Sequence, residues 1–350
     1  MTDGPLWRVA DSHKANHFLQ AARAAFENRD VLSTTFLSLD NPVSLTRSSL
    51  TNIQNQQYYV AHKADGTRFV LVLDMYHKRP VACMVNRAGE VYATPVRAPR
   101  ACFVGRSVFD GELCSVSGCY YYLVFNALVV KGRSLFAQPY TRRLAEVQAL
   151  FSKEPRACAL ADLPVPCIES ALDNTMFMFA KPTVPFSNLE MLDRAIFPCD
   201  GLVFTPATDG VRPGRNPRLL KWKEWNSVDV GFNIVLNTDR TPKTVELWWD
   251  DEDTGARDPV DTTQFALAPE SVADLAHGFA VARRLCATAP PCTGIMECGL
   301  YLADDIKEPH TLWFAHVRRD KFTANTRVTV DKTIATIRDN VTRSDIAACC

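Results

Sequence analysis

The sequence lacks an excess of charge of either sign. Its 350 residues carry 39 basic and 39 acidic side chains, which give a formal net charge of +0. A neutral total leaves nucleic acid open as a partner, but any basic surface must then be local and balanced by acid elsewhere. The sequence also lacks internal repeats and low-complexity tracts. With 47% hydrophobic and 22% charged residues, its composition is that of a globular protein rather than a disordered one.

Long apolar runs and paired cysteines are missing as well. No run of about 18 apolar residues occurs, so we expect no membrane span. The segment "MTDGPLWRVADSHK" has no apolar stretch of the kind that signal peptides contain. The 12 cysteines are scattered, with no C-x-x-C pair, and Cys349 and Cys350 are adjacent. We therefore expect reduced thiols in a cytosolic or nuclear protein.

Several common catalytic signatures are absent. The sequence has no G-x-x-x-x-G-K-[ST] loop, no H-E-x-x-H helix and no G-x-S-x-G turn. The 7 histidines do not combine with cysteines at the spacing of a zinc site. These absences exclude the signatures of P-loop nucleotide sites, zinc proteases and α/β-hydrolases, so the chemistry must come from other residues.

Hydrophobic periodicity predicts many short strands and few helices. Residues 12–28 have the spacing of an amphipathic helix that Ser12 can cap, and residues 141–153 have that of a second helix. Residues 57–130 read as short strands joined by turns. Residues 208–218, "TDGVRPGRNPR", are rich in glycine, proline and arginine, which predicts a loop.

A domain boundary is predicted near residue 230. After it, strand-like segments surround a helical pattern at 270–285, and about five strands with a helix fit a small OB-type barrel. In the last segment, "VDKTIATIRDNV", apolar residues recur at helical spacing from Val330 to Val341. We expect this final helix to pack back on the fold.

One lysine stands where an apolar residue would be expected. In "YYVAHKADGTRFVLVL", residues 58–73, two strand-like segments flank a turn that contains Lys63, Asp65, Gly66 and Arg68. One interpretation is that Lys63 buries its stem and keeps its ammonium group in water. The other is that nearby cations and partial burial let a neutral amine act as a nucleophile. Residues elsewhere in the chain are needed to distinguish a solvated lysine from a nucleophile.

Four further segments supply the groups that such a nucleophile would need. They are "FDGEL" with Asp110 and Glu112, "CDGLVFTP" with Asp200, "LLKWK" with Lys221 and Lys223, and "HVRRDKFTAN" with Arg318 and Lys321. The two lysines of "LLKWK" are two residues apart and therefore share one face of a strand. Each segment alone is a weak signal, because Asp-Gly turns are common and a K-x-K strand is usually a solvated face.

The order and company of these segments resemble the covalent nucleotidyltransferase superfamily, which holds mRNA capping guanylyltransferases, DNA ligases and RNA ligases. K-x-D-G-x-R, F-D-G-E-L, D-G-L-V-F, L-L-K-W-K and R-x-D-K follow one another in the superfamily's order. Among the branches of this superfamily, the chain most resembles the capping enzymes. The segments that carry this resemblance are "NPVSLTRSSL", "KADGTR", "LLKWK" and "LWFAHVRRDKFTAN" followed by "TIATIRDNVT". The resemblance runs from near residue 36 to near residue 343.

This resemblance implies a fold class and a set of domains. It implies an α+β protein in which a nucleotidyltransferase domain, with ATP-grasp-like antiparallel sheets and helices, precedes an OB-fold domain. The limits expected are 1–229 for the first domain with its N-terminal helix and 230–326 for the OB-fold domain. Residues 327–350 are expected to form a C-terminal helix that packs back on the fold.

The activity implied is that of an mRNA guanylyltransferase. Lys63 would attack the α-phosphorus of GTP, expel pyrophosphate and form a covalent lysyl-GMP intermediate. GMP would then pass to the 5′-diphosphate end of RNA to make the GpppN cap. Two alternatives stay open: an ATP-dependent polynucleotide ligase, and a catalytically silent scaffold that binds RNA or RNA polymerase.

Phosphate-binding and metal-binding roles follow from the same resemblance. Lys221, Lys223, Arg318 and Lys321 would hold the phosphate charge, the last two when the second domain closes on the first. Mg²⁺ or Mn²⁺ is expected, bound mainly by phosphate oxygens and water, with Asp200 as the nearest carboxylate.

Nucleotide-binding roles are implied for five residues. Arg68 and Glu112 would contact the ribose, and Asp65 belongs to the same nucleotide-binding set. Phe125 would stack on guanine, unless it is simply a core residue. Lys181 would donate a hydrogen bond to guanine O6, unless it is simply a surface lysine.

The partners implied are GTP and 5′-diphosphate RNA, with a separate RNA triphosphatase and a separate cap methyltransferase. RNA polymerase is left open as a further partner, no membrane is expected, and the location expected is the nucleus, or a cytoplasmic viral factory if the source is viral. Three residues depart from the family pattern: Asn126 stands where aspartate is usual, Thr183 interrupts a segment more often written K-P-F, and His316 replaces a common arginine. His316 either faces the phosphates or packs beside Trp313 and Phe314.

Overall fold

A computed structural model describes most of the chain. The described residues are 6–26, 37, 39–94, 100–116, 119–151, 168–169, 175–192, 194–239, 242–275, 277, 293–305, 307–318 and 321–350. The chain divides into two compact units, Met1–Lys223 with Arg343–Cys350, and Glu224–Thr342. Residue 230, where the sequence places the boundary, lies inside a strand of the second unit, so the division comes a few residues earlier.

Six helices have defined bounds. They are α1 Ser12–Ala25, α2 Arg47–Asn55, α3 Arg100–Val104, α4 Tyr140–Leu150, α5 Arg327–Asp339 and α6 Arg343–Ala347, with a 3-10 helix at Phe186–Met191. Residues 269–275 and 277 are also helical, and the rest of the helix predicted at 270–285 lies outside the described residues.

Twenty strands have defined bounds. In the first unit they are β1 Trp7–Arg8, β2 Asp40–Ser44, β3 Tyr58–Ala64, β4 Thr67–Tyr76, β5 Arg79–Asn86, β6 Val91–Ala93, β7 Ser107–Val116, β8 Cys119–Val130, β9 Arg133–Ser134, β10 Ile168–Glu169, β11 Thr175–Ala180, β12 Thr183–Pro185, β13 Cys199–Pro206 and β14 Gly214–Lys223. In the second unit they are β15 Ser227–Leu236, β16 Pro242–Asp250, β17 Arg257–Pro259, β18 Phe265–Leu267, β19 Thr293–Tyr301 and β20 His310–Val317.

The first unit contains two sheets. The nine-stranded sheet has the order β1-β6-β5-β4-β7-β8-β11-β10, with β9 paired to β8, and the five-stranded sheet has the order β12-β3-β13-β14-β2. Most neighbours are antiparallel, and the exceptions in this unit are β11 with β8 and β14 with β2. The expected α+β class with largely antiparallel sheets is confirmed.

Strand β4 shows why "RFVLVL" is apolar without interruption. Leu71 and Leu73 point into one core cluster, while Val70 and Val72 point into another that includes residues of α1. Successive side chains of a strand face opposite sides, so a strand that is buried on both faces has no polar positions to alternate with.

Helix α1 begins one residue away from the expected cap. Asp11, rather than Ser12, is the N-cap, and its Oδ1 accepts hydrogen bonds from the backbone N–H groups of His13 at 2.9 Å and Lys14 at 3.1 Å. A carboxylate at this position stabilises the helix N-terminus as both a hydrogen-bond acceptor and a negative charge. The helix ends at Ala25, three residues before the limit that the apolar spacing predicts.

The second unit is built on one sheet with the order β17-β16-β15-β19-β20-β18. The short strand β17 is a sixth strand that the sequence did not predict. Val330 and Ile334 of α5 pack into the core of this sheet, as their helical spacing predicts. Helix α5 ends at Asp339, with the left-handed Asn340 as its C-cap, and α6 belongs to the first unit, so residues 327–350 form two helices. The assignment of this unit as an OB fold stays a prediction.

No helix among the described residues is long and apolar enough to cross a membrane.

Candidate active site

Lys63 lies at the end of a strand, not in the turn where the sequence placed it. It is the penultimate residue of β3, and Asp65-Gly66 connects β3 in the five-stranded sheet to β4 in the nine-stranded sheet. The backbone N–H of Asp65 donates to the carbonyl of Pro198 at 2.8 Å. A Cβ at Gly66 would lie 2.4 Å from the carbonyl oxygen of Leu113, so glycine lets the chain pass between the sheets.

Asp200 holds the ammonium group of Lys63. The Lys63 Nζ donates to Oδ1 of Asp200 at 2.8 Å and to Oδ2 at 3.0 Å. On β13, Cys199 pairs with Ala64 and Gly201 pairs with Lys63, so Asp200 is the extra residue of a β-bulge. Bulges re-aim side chains next to functional sites, and this one explains how Asp200 reaches the lysine of the neighbouring strand.

Lys223 of β14 binds the same carboxylate. The Nζ of Lys223 lies 2.9 Å from Oδ2 of Asp200. Lys223 pairs with Gly201 of β13, and the two strands pack closely there, since a Cβ on Gly201 would lie 1.9 Å from the carbonyl oxygen of Trp222. Burial acts to raise the pKa of Asp200, but the ammonium groups of Lys223 and Lys63 outweigh it, and the pKa lies below its ordinary value. The carboxylate therefore stays ionised between two cations.

Lys221 shares its strand with Lys223. It is partly exposed, while Leu220 and Trp222 on either side of it are buried, which is the alternation that the K-x-K spacing predicts. Lys221 pairs with Val203 of β13 on one side and with Ser44 of β2 on the other. Both lysines of "LLKWK" therefore occupy positions of β14 that turn away from the core.

Arg68 is held by a carboxylate to which the sequence assigned no role. Its Nε donates to Oδ1 of Asp110 at 2.9 Å, its Nη2 donates to Oδ2 at 2.6 Å, and its Nη1 donates to the carbonyl of Asp40 at 2.8 Å. Asp110 is fully buried. A two-pronged pair of this kind fixes the plane of the guanidinium. The spacing of "FDGEL" carried the signal, because Asp110 and Glu112 share one side of β7.

Phe125 lies beside the site rather than in the core. On β8, Val124 pairs with Gly111 and Asn126 pairs with Asp110, so Phe125 is the extra residue of a bulge. Its side chain is half-buried and belongs to no core cluster of the described residues. Periodicity alone could not distinguish this position from core, because bulges leave no mark in an apolar run.

Two cations flank the Phe125 ring. The Nζ of Lys181 lies 5.4 Å from the ring centroid, and the Cζ of Arg68 lies 5.5 Å from it. Lys181 is buried, which excludes the surface interpretation. Burial lowers the pKa of Lys181 to about 8, although Glu112 opposes this shift. Burial likewise raises the pKa of Glu112, against the charges of Lys181 and Arg68.

Asp65 is less integrated than the other predicted nucleotide-binding residues. It is exposed in the turn between β3 and β4. Within the described residues, no hydrogen bond or ion pair joins its side chain to another predicted site residue. Its defined contact is the backbone hydrogen bond to Pro198.

The second unit brings Arg318 and Lys321 together around two carboxylates. The Nη1 of Arg318 lies 2.9 Å from Oε2 of Glu297 and 3.3 Å from Oδ1 of Asp229, and the Nζ of Lys321 lies 2.8 Å from Oδ2 of Asp229. All four side chains are at least partly buried. The remaining residue of the R-x-D-K motif, Asp320, lies outside the described residues.

All three departures from the family pattern have defined environments, and the Thr183 hydroxyl donates to the carbonyl of Lys181 at 2.9 Å. His316 is 61% exposed, and its Nε2 lies 3.7 Å from the Glu297 carboxylate oxygen that also binds Arg318. Asn126 is buried, and its Oδ1 accepts a hydrogen bond from the Nε of Arg143 at 2.8 Å. His316 therefore lies next to the cationic pair, while Asn126 fixes α4 to β8.

Chemically, the first unit can hold an amine beside a carboxylate, an aromatic ring and several cations. Such a set suits an anionic, aromatic ligand that bears phosphates. Within the described residues, no group of three or more histidine, cysteine, aspartate or glutamate side chains could hold a metal by itself. Asp200 supplies one carboxylate next to Lys63, and one carboxylate fits a magnesium ion that is held mainly by substrate phosphates and water.

The comparisons with known proteins agree with this chemistry. The family model for the catalytic domain of mRNA capping enzyme matches residues 19–225, which is more than half of the chain. The matched segment contains Lys63, Asp200 and Lys223.

Curated relatives carry the same name. The chain is 26% identical over 218 residues to the mRNA-capping enzyme subunit alpha of Neurospora crassa, a match that covers 56% of this chain and 53% of the relative. It is 26% identical over 361 residues to the subunit alpha of Candida glabrata, a match that covers 87% of this chain and 78% of the relative. The chain thus spans about half the length of the first relative.

Among solved structures, the chain is similar to a mycobacterial DNA ligase D complexed with ATP and MES. The sequence identity is 15%, the TM-score is 0.39, and the match covers 81% of this chain and 94% of the other. A likeness this low carries no argument about the fold or the activity of the chain.

Proposed function

The chain belongs to the family of mRNA capping enzyme catalytic domains, and from that premise we propose that it is an mRNA guanylyltransferase. It forms lysyl-GMP from GTP and transfers the GMP to the 5′-diphosphate end of RNA to make the GpppN cap. The observation that carries the proposal is the contact of the Lys63 Nζ with Asp200 and, through that carboxylate, with Lys223.

The ion pair with Asp200 holds the Lys63 side chain in one orientation before substrate binds. A lysine that donates to both oxygens of one carboxylate has its Nζ fixed in place, and productive attack needs such positioning. Lys223 binds Oδ2 of the same carboxylate at 2.9 Å, so Asp200 keeps a counter-charge when Lys63 leaves it. Lys63 can then turn to the α-phosphorus without leaving the partly exposed Asp200 carboxylate unpaired.

The first step joins the Lys63 nitrogen to the α-phosphorus. Lys63 first loses a proton to solvent to become a neutral amine. The P–N bond then forms as the bond to the bridging oxygen breaks, pyrophosphate leaves with the electron pair, and the nitrogen loses a second proton to give the phosphoramidate. In the second step, a terminal oxygen of the 5′-diphosphate RNA attacks the same phosphorus. The P–N bond breaks as the nitrogen takes up a proton and leaves as a neutral amine, and a second proton from solvent restores the ammonium group of Lys63.

The groups around Phe125 form the proposed guanosine pocket. Phe125 would stack on the base, and Lys181 would donate to guanine O6. Arg68 and Glu112 would contact the ribose, and Asp110 supports them by holding the Arg68 guanidinium. Asp65 stays in the set as a weaker candidate because its side chain is exposed.

Lys221, Lys223, Arg318 and Lys321 are the proposed binding groups for the triphosphate. Each supplies a positive charge to an anion whose charge is spread over the phosphoryl oxygens in the transition state. In the structure, Arg318 and Lys321 pair with carboxylates of their own unit. Binding to phosphate would therefore exchange one set of anionic partners for another.

A divalent cation, Mg²⁺ or Mn²⁺, would enter with the nucleotide. Asp200 is the proposed protein ligand, and the ion would neutralise part of the charge on the triphosphate. The further partners proposed are an RNA triphosphatase and a cap methyltransferase on other chains, and RNA polymerase. The location proposed is the nucleus, or a cytoplasmic viral factory if the source is viral.

Adduct formation tests the proposal. The protein is incubated with Mg²⁺ and α-labelled GTP or ATP, and acid-labile label is measured on the polypeptide. We expect label from GTP and little from ATP. Equal labelling from ATP would favour the polynucleotide ligase, and no label from either would favour a silent scaffold.

A further inference from the structure

Strand β14 connects the proposed nucleophile to a group of arginines that adduct formation does not need. The strand begins in the segment 208–218 and ends at Lys223, which binds Asp200. The sequence predicted a loop for the whole segment, but its second half is strand from Gly214 onward. One continuous element therefore carries Arg215 and Arg218 at one end and the site lysines at the other.

The arginines are gathered around one buried carboxylate. The Nη1 of Arg218 lies 3.0 Å from Oδ1 of Asp209, and the Nη2 of Arg212 lies 3.7 Å from Oδ2 of the same residue. Asp209 is buried, whereas the Arg212 side chain is 53% exposed and that of Arg218 is 38% exposed. The exposed charge here is therefore positive, although the chain as a whole is neutral.

Arg215 adds a further cation on the outward side of β14. It is exposed, and it makes no ion pair with a carboxylate in the part of the chain that the structure describes. Along β14 the odd-numbered positions from 215 to 223 are all at least partly exposed, whereas Asn216, Leu220 and Trp222 are buried. The pairing of β14 with β2 shifts register between Asn216 and Leu220, so alternation does not carry across that stretch, and Arg215 is placed at the surface by its own exposure.

The length of this row suits a single-stranded nucleic acid. Eight residues separate Arg215 from Lys223, which is at most about 26 Å at ~3.3 Å per residue, because the irregularity between Asn216 and Leu220 shortens the strand. Stacked nucleotides of one strand advance by about 3.4 Å each, so the distance corresponds to no more than roughly eight of them. Arginine is well suited to phosphate because its guanidinium presents a planar set of donors.

We propose that Arg212 and Arg215, with the outward side of β14, bind the phosphate backbone of the acceptor RNA and lead its 5′ end to Lys63. This inference rests on the proposed function, because that function supplies the reason for RNA to reach the lysine. An acidic peptide could also bind arginines. RNA is favoured because it is the polyanion that the proposed reaction brings to the Lys63 end of β14, and the exposed charge at the other end is positive.

The test measures RNA binding rather than catalysis. Fluorescein-labelled 5′-diphosphate RNAs of 3 and 15 nucleotides are titrated against the full chain, and the anisotropy gives Kd at several NaCl concentrations. The variant Arg212→Ala with Arg215→Ala is compared with Arg79→Ala with Arg87→Ala, a matched pair of exposed arginines, one at the start of β5 and one in the turn that follows it. Thermal unfolding confirms that each variant is folded.

The proposal predicts a change in both affinity and salt dependence. For the 15-nucleotide RNA, loss of Arg212 and Arg215 should weaken binding about tenfold, and the slope of log K against log [NaCl] should become less negative by about 1.4, which is two contacts at ~0.7 each. The 3-nucleotide RNA and the control pair should show the wild-type values. Arg212→Lys with Arg215→Lys should restore the slope, because the charges return.

An unchanged Kd and slope for the 15-nucleotide RNA would overturn the proposal. So would equal losses for the two RNA lengths, because a short RNA at Lys63 does not reach Arg215. If these substitutions weakened binding of a phosphorylated acidic peptide and left RNA binding unchanged, the surface would be a peptide site and the proposal would be wrong. Binding by anisotropy needs no lysyl-GMP, so failure of this inference is distinct from failure of GTP labelling.

Discussion

Replacing Lys181 with methionine should stabilise the protein at neutral pH while it weakens the proposed guanine pocket. Burial lowers the pKa of Lys181 to about 8 from its ordinary value of 10.5. That difference corresponds to about 3 kcal/mol of unfavourable free energy when the ammonium form is kept in the folded protein. Lys181→Met removes the charge and keeps most of the volume.

Part of this gain is offset by lost contacts. The Lys181 ammonium lies 5.4 Å from the Phe125 centroid, and such a contact contributes about 0.5–2 kcal/mol. Methionine can keep a sulfur–aromatic contact with the ring. Glu112 loses one of its neighbouring cations but keeps Arg68 and Lys63. We therefore expect a net gain of about 1–2 kcal/mol at pH 7, which is a rise of roughly 2–6 °C in Tm.

The sign of the pH dependence gives a second check. At pH 7 Lys181 is protonated in both the folded and the unfolded protein, so its unfavourable contribution is fully present. As the pH rises through about 8, the folded protein loses this proton first, and the contribution disappears between pH 8 and 10.5. The advantage of Lys181→Met over wild type should therefore shrink from pH 7 to pH 9.5.

Calorimetric unfolding at pH 7 and pH 9.5 measures both effects, and an exposed lysine, Lys78→Met, serves as the control. The same variant should raise the GTP concentration needed for half-maximal labelling about tenfold, because the proposed donor to guanine O6 is gone. A lower Tm for Lys181→Met at pH 7, or an advantage that grows toward pH 9.5, would refute the account of this buried charge.

Three further predictions concern the charges and the backbone of the site. Asp200→Asn should lower the single-turnover rate of adduct formation about 100-fold, because the charge-assisted hydrogen bonds that position the amine contribute ~1.5–3 kcal/mol. As a control, Asp258→Asn at an exposed carboxylate should leave the rate unchanged. A rate that Asp200→Asn leaves unchanged, in quenched-flow labelling, would exclude that carboxylate. Arg318→Ala should reduce labelling by GTP at least tenfold and Arg318→Lys should recover part of it; equal activity of all three proteins would remove Arg318 from phosphate binding. Gly201→Ala should lower Tm, because its Cβ would lie 1.9 Å from the carbonyl oxygen of Trp222 and relief of such crowding costs about 1–3 kcal/mol; an unchanged melting curve would contradict this packing.

The sequence predicts the strands and helices better than it predicts where the site residues point. Apolar runs such as "RFVLVL" and the helical spacing of Val330 and Ile334 reflect burial, and the structure follows both. The sequence also indicated the turn at Asp65-Gly66. It did not indicate that this turn joins two different sheets, because local residues do not encode which strands pair at long range.

The resemblance assigned Asp200 and Phe125 to the site, but periodicity alone gives no direction for their side chains. Both are extra residues in their strands, so a strict alternation rule fails at them. Asp110 received no role because its importance lies in a contact with Arg68 on another strand. The ion pairs of Arg318 and Lys321 with Asp229 were equally hidden, since these residues are far apart in sequence.

Mapping of the bound nucleotide tests the central claim most directly. The protein is incubated with GTP and Mg²⁺, kept at alkaline pH to preserve the phosphoramidate, and digested for peptide mass spectrometry, with Lys63→Arg treated in the same way. Arginine keeps the positive charge and stays protonated up to about pH 12, so it cannot supply a neutral amine. The account predicts one GMP on the peptide that contains Lys63 and none on the variant. GMP on another lysine, or an adduct that survives Lys63→Arg, would contradict it.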